Sequence, residues 1–263
     1  MNTETTTPRE ESRYIQHYRA HLQAVIQCAL EVLSIVKFDK NHPQHLAAIC
    51  LYSTIFQSAT ECHRLLAGPT VTVPGIMRSI LESYADLCAV IRDVGHAKNM
   101  LATLHEEQRK HLEDMIRSPA NPFHADVARH IDPGTKLVEI QADLDGLRSA
   151  GHYPLTVFDR FAAADLGDLY RTIYWQLGLE AHNNIVALER RHIRREGDQF
   201  EIDIFSENTS SQLAMYYDSL TAIFIDSSRK LYDLVNFSMP IELGKQIDAF
   251  DRFRAEAVAA FRR

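Results

Sequence analysis

At 263 residues, with 46% apolar and 24% charged side chains against only 10 Gly and 9 Pro, the chain can bury a sizeable core and is too apolar to remain disordered. Its formal charge of -7 argues against a protein that coats nucleic acid, which needs excess Lys and Arg to displace counterions. No apolar run approaches the roughly 20 residues that cross a bilayer, and Met1 to Glu11 is polar with no apolar segment behind a basic start, so a cytoplasmic protein without membrane association is expected.

Taken in chain order, the apolar residues keep helical spacing almost throughout. Tyr14, Tyr18, Leu22, Val25, Ile26, Ala29, Leu33 and Val36 mark a first helix over about Arg9 to Lys37. Pro43 opens a second, running through Ile49 and Phe56 to a stop near Gly68-Pro69, and the two are expected to pair as an antiparallel hairpin. A third helix starts at Thr72 with Pro74, and its apolar residues cover most of its circumference, which predicts a central position. A more charged fourth helix spans Ala97 to Arg117, and Ser118-Pro119 begins an irregular stretch. Asp132-Pro133 restarts the chain as cap and first helical residue, and Gly151 ends that helix in a left-handed turn.

Asp165 and Asp168 stand where a helix start favours side-chain acceptors, ahead of a stripe through Leu166, Leu169, Ile173 and Leu177. Phe200, Ile202 and Ile204 then alternate with Glu201 and Asp203 behind a Glu196-Gly197-Asp198 turn, predicting a small hairpin over 193–205. Helices over Ser210 to Phe237 and Pro240 to Phe261 close the chain. The expected fold is all-α: one domain over residues 1–263, a bundle of about eight helices with one small β-hairpin inserted and a disordered tail over 1–8. Cys28, Cys50, Cys62 and Cys88 lie singly in helical patterns and are expected to be core thiols.

Few polar residues look out of place. Arg78, Ser79, Glu82, Ser83 and Asp86 form one narrow stripe on the otherwise apolar third helix, because residues four apart lie above one another. That stripe either faces water, with Arg78 and Glu82 an ordinary surface pair, or joins a buried network with other helices. Tyr170, Tyr174, Gly178 and His182 follow at intervals of four on a second helix and offer partners. A glycine inside a helix costs about 1 kcal/mol against Ala, so something must pack closely at Gly178, another helix backbone before a ligand. His182 stands at the expected helix end, before Asn183 and Asn184.

The Arg78-Ser79-Ile80-Leu81-Glu82 segment, followed distantly by Tyr170-Arg171 and His182, resembles the prokaryotic helical family catalogued as domain of unknown function 5677. The resemblance covers roughly Leu46 to Leu188 and singles out Arg78, Glu82, Tyr170 and His182. It implies a Ser four residues before the His, where this chain has Gly178, and it implies no reaction.

Other chemistry is weakly signalled. Among 13 histidines, Glu189 with His192, His17 with His21, and Glu107 with His111 are each half of a metal site without a second half, so no metal and no cofactor are expected. Arg190, Arg191, Arg194 and Arg195 form the one dense basic run, which on a hairpin suits phosphates or an acidic partner, and equally a solvated edge strand. Glycine-rich phosphate loops and nucleophile elbows are missing.

The leading expectation is a regulatory or interaction protein of a prokaryotic defence or stress locus, partnered by another protein or a second copy. One alternative is an RNA-directed nuclease or other hydrolase with His182, Arg78 and Glu82 as catalytic groups. The other is a small-ligand sensor whose site includes Tyr170, Tyr174, Asn183 and Asp86.

Overall fold

The computed structural model describes residues 8–182, 184–197, 199–205 and 207–261. Helices α1 (Pro8–Leu33), α2 (Pro43–Leu65), α3 (Val73–Arg92), α4 (His96–Arg117) and α6 (Pro133–Ser149) follow the apolar periodicity of the sequence. So do α11 (Ser210–Leu234) and α12 (Ile241–Phe261), and the hairpin forms from β1 (Ile193–Glu196) and β2 (Gln199–Ile202), paired antiparallel. The expected disordered tail lies outside the described residues apart from Pro8, which already begins α1.

Three short helices raise the count among the described residues to eleven, above the eight or so expected: α5 (Pro122–Val127), α7 (Val157–Ala163) and α10 (Ile185–His192). Six to eight residues are too few to display helical periodicity, and local caps mark them instead. Asn121 caps α5 and Asn184 caps α10. Thr156 and Asp159 close a reciprocal capping box on α7, the hydroxyl accepting from Asp159 N at 3.2 Å and the carboxylate accepting from Thr156 N at 3.0 Å. Thr156→Ala should cost about 1 kcal/mol of unfolding free energy, read from the urea midpoint.

The remaining helix, residues 167–181, joins α8 (Gly167–Leu169) to α9 (Trp175–Ala181) through a π turn at Tyr170–Tyr174. Its start corrects the expected capping. Asp165 has a left-handed backbone with φ 61 and terminates α7, its neighbour Leu166 donating back to the Phe161 carbonyl at 2.8 Å. Leu166 occupies the N-cap without a side-chain bond, and Asp168 is exposed beside Arg171. Asp132 caps α6 as expected, accepting from Gly134 N and Thr135 N, and Gly151 turns left-handed at φ 85.

The main core is drawn from α1, α2, α3, α7, α9, α11 and α12. α3 is its centre, in contact with α2, α7, α9 and α11. The hairpin expected of α1 and α2 is not the dominant pairing: α1 lies mainly against α11, and α2 against α3. Hydroxyls fasten the long α11 within this core, Ser228 to Tyr52 at 2.9 Å and Asp226 to Tyr84 at 2.6 Å. A separate small cluster joins α4 to α6 through Ala102, Leu112, Met115, Ile140 and Leu144. Cys62 and Cys88 are core thiols, Cys28 is half-buried against the core, and Cys50 is exposed, contrary to expectation, because it lies on the solvent side of α2.

Candidate functional site

The polar stripe of α3 does not face water as a surface pair. Arg78, Glu82 and Asp86 are spaced by two successive four-residue steps, and each finds its partner on another element. Arg78 Nη2 donates to the Tyr174 hydroxyl at 2.7 Å, and that hydroxyl donates to Glu82 Oε1 at 2.7 Å. Glu82 Oε2 accepts from Arg160 Nη1 at 3.0 Å. Arg160 also reaches Asp86, with Nε donating to Oδ1 at 2.9 Å and Nη2 to Oδ2. His96 Nε2, at the start of α4, completes the series 3.1 Å from Asp86 Oδ1. Arg78 and Glu82 are therefore linked through Tyr174, and six side chains from α3, α4, α7 and the π turn form one chain of contacts.

Burial decides what this chain of contacts is worth. Asp86 and His96 are each 2% exposed, so their groups interact at a far lower dielectric than a surface pair. Burial alone would raise the Asp86 carboxyl, and the hydrogen bonds from His96 and Arg160 outweigh it, holding that group below the ordinary carboxylate range. Burial and the hydrogen bond to Glu82 push the Tyr174 hydroxyl well above its ordinary value, so it stays protonated and keeps donating.

Arg160 and His96 were not among the residues singled out by sequence. Arg160 had a local signal, the Thr156-x-x-Asp159 box that starts α7 and places it one turn in. His96 had none, since its role depends on the turn between α3 and α4 returning it beside Asp86.

Beyond Arg78 the helix of residues 167–181 opens a cavity. Four-residue steps drift by about 40° each on an α-helix, which over three steps would carry Tyr170, Tyr174, Gly178 and His182 onto different faces. The π turn winds one step back, and all four line a single cavity of about 460 Å³ together with Arg78 and Trp175. Tyr170 and Tyr174 stack with centroids 5.1 Å apart, backed by Phe161 at 5.4 and 5.0 Å. The Arg78 guanidinium lies over the Tyr174 ring, 4.1 Å from its centroid.

Gly178 explains how Arg78 fits there. A Cβ at that position would stand 2.4 Å from Arg78 Nη1, inside van der Waals contact. The expected close approach of a helix backbone is thus replaced by a guanidinium. His182 caps the helix end, is exposed, and makes no side-chain hydrogen bond with another described residue. Asn183 lies outside the described residues, and the Asn184 side chain is engaged as the cap of α10. Among the described residues the cavity lining carries a guanidinium and an imidazole and no carboxylate.

The basic run is not a row of unpaired cations on a hairpin. Arg190 and Arg191 end α10 and turn inward: Arg190 Nη2 donates to Glu180 Oε1 at 2.7 Å, and Arg191 Nη2 to the Glu180 carbonyl at 3.1 Å. Arg194 bonds Asp203 at 2.7 Å, and Arg195 is placed in β1 opposite Phe200. His17 and His21 pack on Phe253, and His192 Nδ1 meets the Asp203 carbonyl, so these expected half-sites have structural partners. Among the described residues no three His, Cys, Asp or Glu side chains converge as metal ligands do.

A family model described as a family of unknown function, DUF5677, matches residues 45–200, more than half of the chain and the segment that holds α2 to β2's first residues. No curated protein matches, and no solved structure does. No helix among the described residues is long and apolar enough to cross a membrane.

Proposed function

The chain belongs to the family of unknown function DUF5677, and from that premise we propose that it is a regulatory protein that senses a small, flat, negatively charged ligand in the cavity beside Gly178. The observation that carries this reading is the Arg78 guanidinium laid across the Tyr174 ring in space that any side chain at position 178 would fill. A glycine there lowers helix stability by about 1 kcal/mol, and the arginine it admits lines an open cavity with stacked aromatic rings. A planar anion satisfies both parts, its ring against Trp175 and Tyr170 and its charge against Arg78.

Binding is favoured over hydrolysis by the state of the carboxylates. Both oxygens of Glu82 and both of Asp86 accept hydrogen bonds already, which leaves neither poised to take a proton from water. His182 has no described group to orient it. A hydrolase reading keeps one supporting observation, that His182 and Arg78 line the same cavity. RNA cleavage lost in His182→Ala would select it.

The test is a melting-temperature screen against aromatic carboxylates and nucleoside monophosphates. A ligand at one hundred times its Kd adds about 2.7 kcal/mol, a rise of roughly 5 to 10 °C for a chain of this size. Arg78→Gln should abolish the rise, whereas His182→Ala, at an exposed position, should melt with the wild type. A rise that persists undiminished in Arg78→Gln would place the ligand elsewhere.

A further inference from the structure

The helix of residues 167–181 separates two cavities. The second, about 490 Å³, lies on its other face, between that helix, α10 and the start of α11, and is lined by Glu180, Arg190, Arg191, Glu207, Asn208 and Ser211 among others. Its chemistry differs from that of the first. Glu180 is buried and fully engaged, Oε1 accepting from Arg190 and Oε2 from the Tyr216 hydroxyl at 2.7 Å, so its charge is already balanced. Arg191 is half-buried, bonds only the neutral Glu180 carbonyl, and has no carboxylate partner among the described residues.

Asn208 adds an independent sign. Its Nδ2 is shielded from solvent and has no acceptor among the described residues, a costly arrangement for a donor on a residue that lines a cavity, and one that a turn of the side chain toward that space would relieve. Ser211 stands in the first turn of the 25-residue α11, where the helix end adds positive potential. A guanidinium without a counter-charge, an amide donor without an acceptor and a hydroxyl thus border one space.

We propose that this second cavity binds a phosphorylated polyol or sugar, with the phosphate at Arg191 and the Asn208 amide turning toward it on binding. A phosphate supplies three acceptor oxygens for those donors. Thr70, Thr209, Gln176 and Gln212 add hydroxyls and amides to the lining, beside Pro74, Ala187 and Met215, and suit a hydroxyl-rich body in place of the flat one proposed for the first cavity. Glu207, exposed at the edge, accepts a hydroxyl from that body and disfavours a second phosphate. Arg190 and Arg191, adjacent in a basic run, therefore divide their work, one neutralising Glu180 and the other receiving the ligand.

The proposal is tested by titrating the full chain with inorganic phosphate, glycerol 3-phosphate and glucose 6-phosphate, with chloride at matched ionic strength as control. Binding of the phosphate esters to the wild type and to Arg78→Gln alike is expected, which separates this site from the first cavity. Arg191→Gln should weaken Kd at least tenfold. Asn208→Ala should weaken it severalfold while melting no lower than the wild type, because it removes an unpaired donor. No saturable binding by the wild type, binding unchanged in both variants, or equal binding of chloride would each overturn the assignment.

Discussion

Replacing Arg160 with alanine is expected to destabilise the protein by about 3 to 5 kcal/mol, lowering its melting temperature by roughly 10 °C. The guanidinium bridges Glu82 and Asp86, and Asp86 is almost completely shielded from water. Without Arg160 a buried carboxylate would keep only His96 as a partner. Arg160→Lys should recover little, because an ammonium cannot span both carboxylates as the planar fork does.

The pH dependence of that loss has a definite sign. In the wild type the Asp86 carboxyl is held below its ordinary value, so its contribution is complete above the unfolded value of about 3.9 and disappears as pH falls through the lower folded value. In Arg160→Ala the dominant remaining influence is burial, which favours the neutral acid. The variant's deficit should therefore be largest at neutral pH and shrink as pH falls, first through the variant's raised Asp86 value and then through the wild type's lowered one. Urea unfolding at pH 7 and at pH 3.5 measures both. Equal deficits at the two values would show that Asp86 is not the group Arg160 compensates.

Gly178→Ala is expected to separate stability from binding. Alanine gains up to about 1 kcal/mol over glycine in a helix interior. The added Cβ must displace the Arg78 guanidinium from the Tyr174 ring, an interaction worth about 0.5 to 2 kcal/mol. The two effects nearly cancel, and the melting temperature should move by no more than a few degrees. Affinity for any ligand of the first cavity should fall at least tenfold, since the cation that receives its charge has been moved. Titration of the variant beside its thermal melt checks this, and retained affinity would remove Gly178 and Arg78 from the binding site.

The two central helices were legible for different reasons. The third helix is apolar around most of its circumference, so its stripe of Arg78, Glu82 and Asp86 stood out against it. Tyr170, Tyr174, Gly178 and His182 were legible as a four-residue series, although their common face depends on a π turn that no spacing announces. Arg160 passed unnoticed because α7 is seven residues long and signalled only by its cap, and Arg190 and Arg191 were read with the hairpin because α10, eight residues long, is likewise signalled only by its cap.

The sequence by itself determined the helical architecture, the long elements, the hairpin and the identity of the unusual polar residues on α3, because each follows from local periodicity or from a cap within a few positions. Only the tertiary structure decided which of those residues meet. Arg78 and Tyr174 are 96 positions apart and Asp86 and Arg160 are 74, and such contacts depend on how helices cross around a shared core. Spacing along the chain carries no record of a partner that lies several helices away, and burial of Asp86 is what turns an ordinary charge into one that must find it.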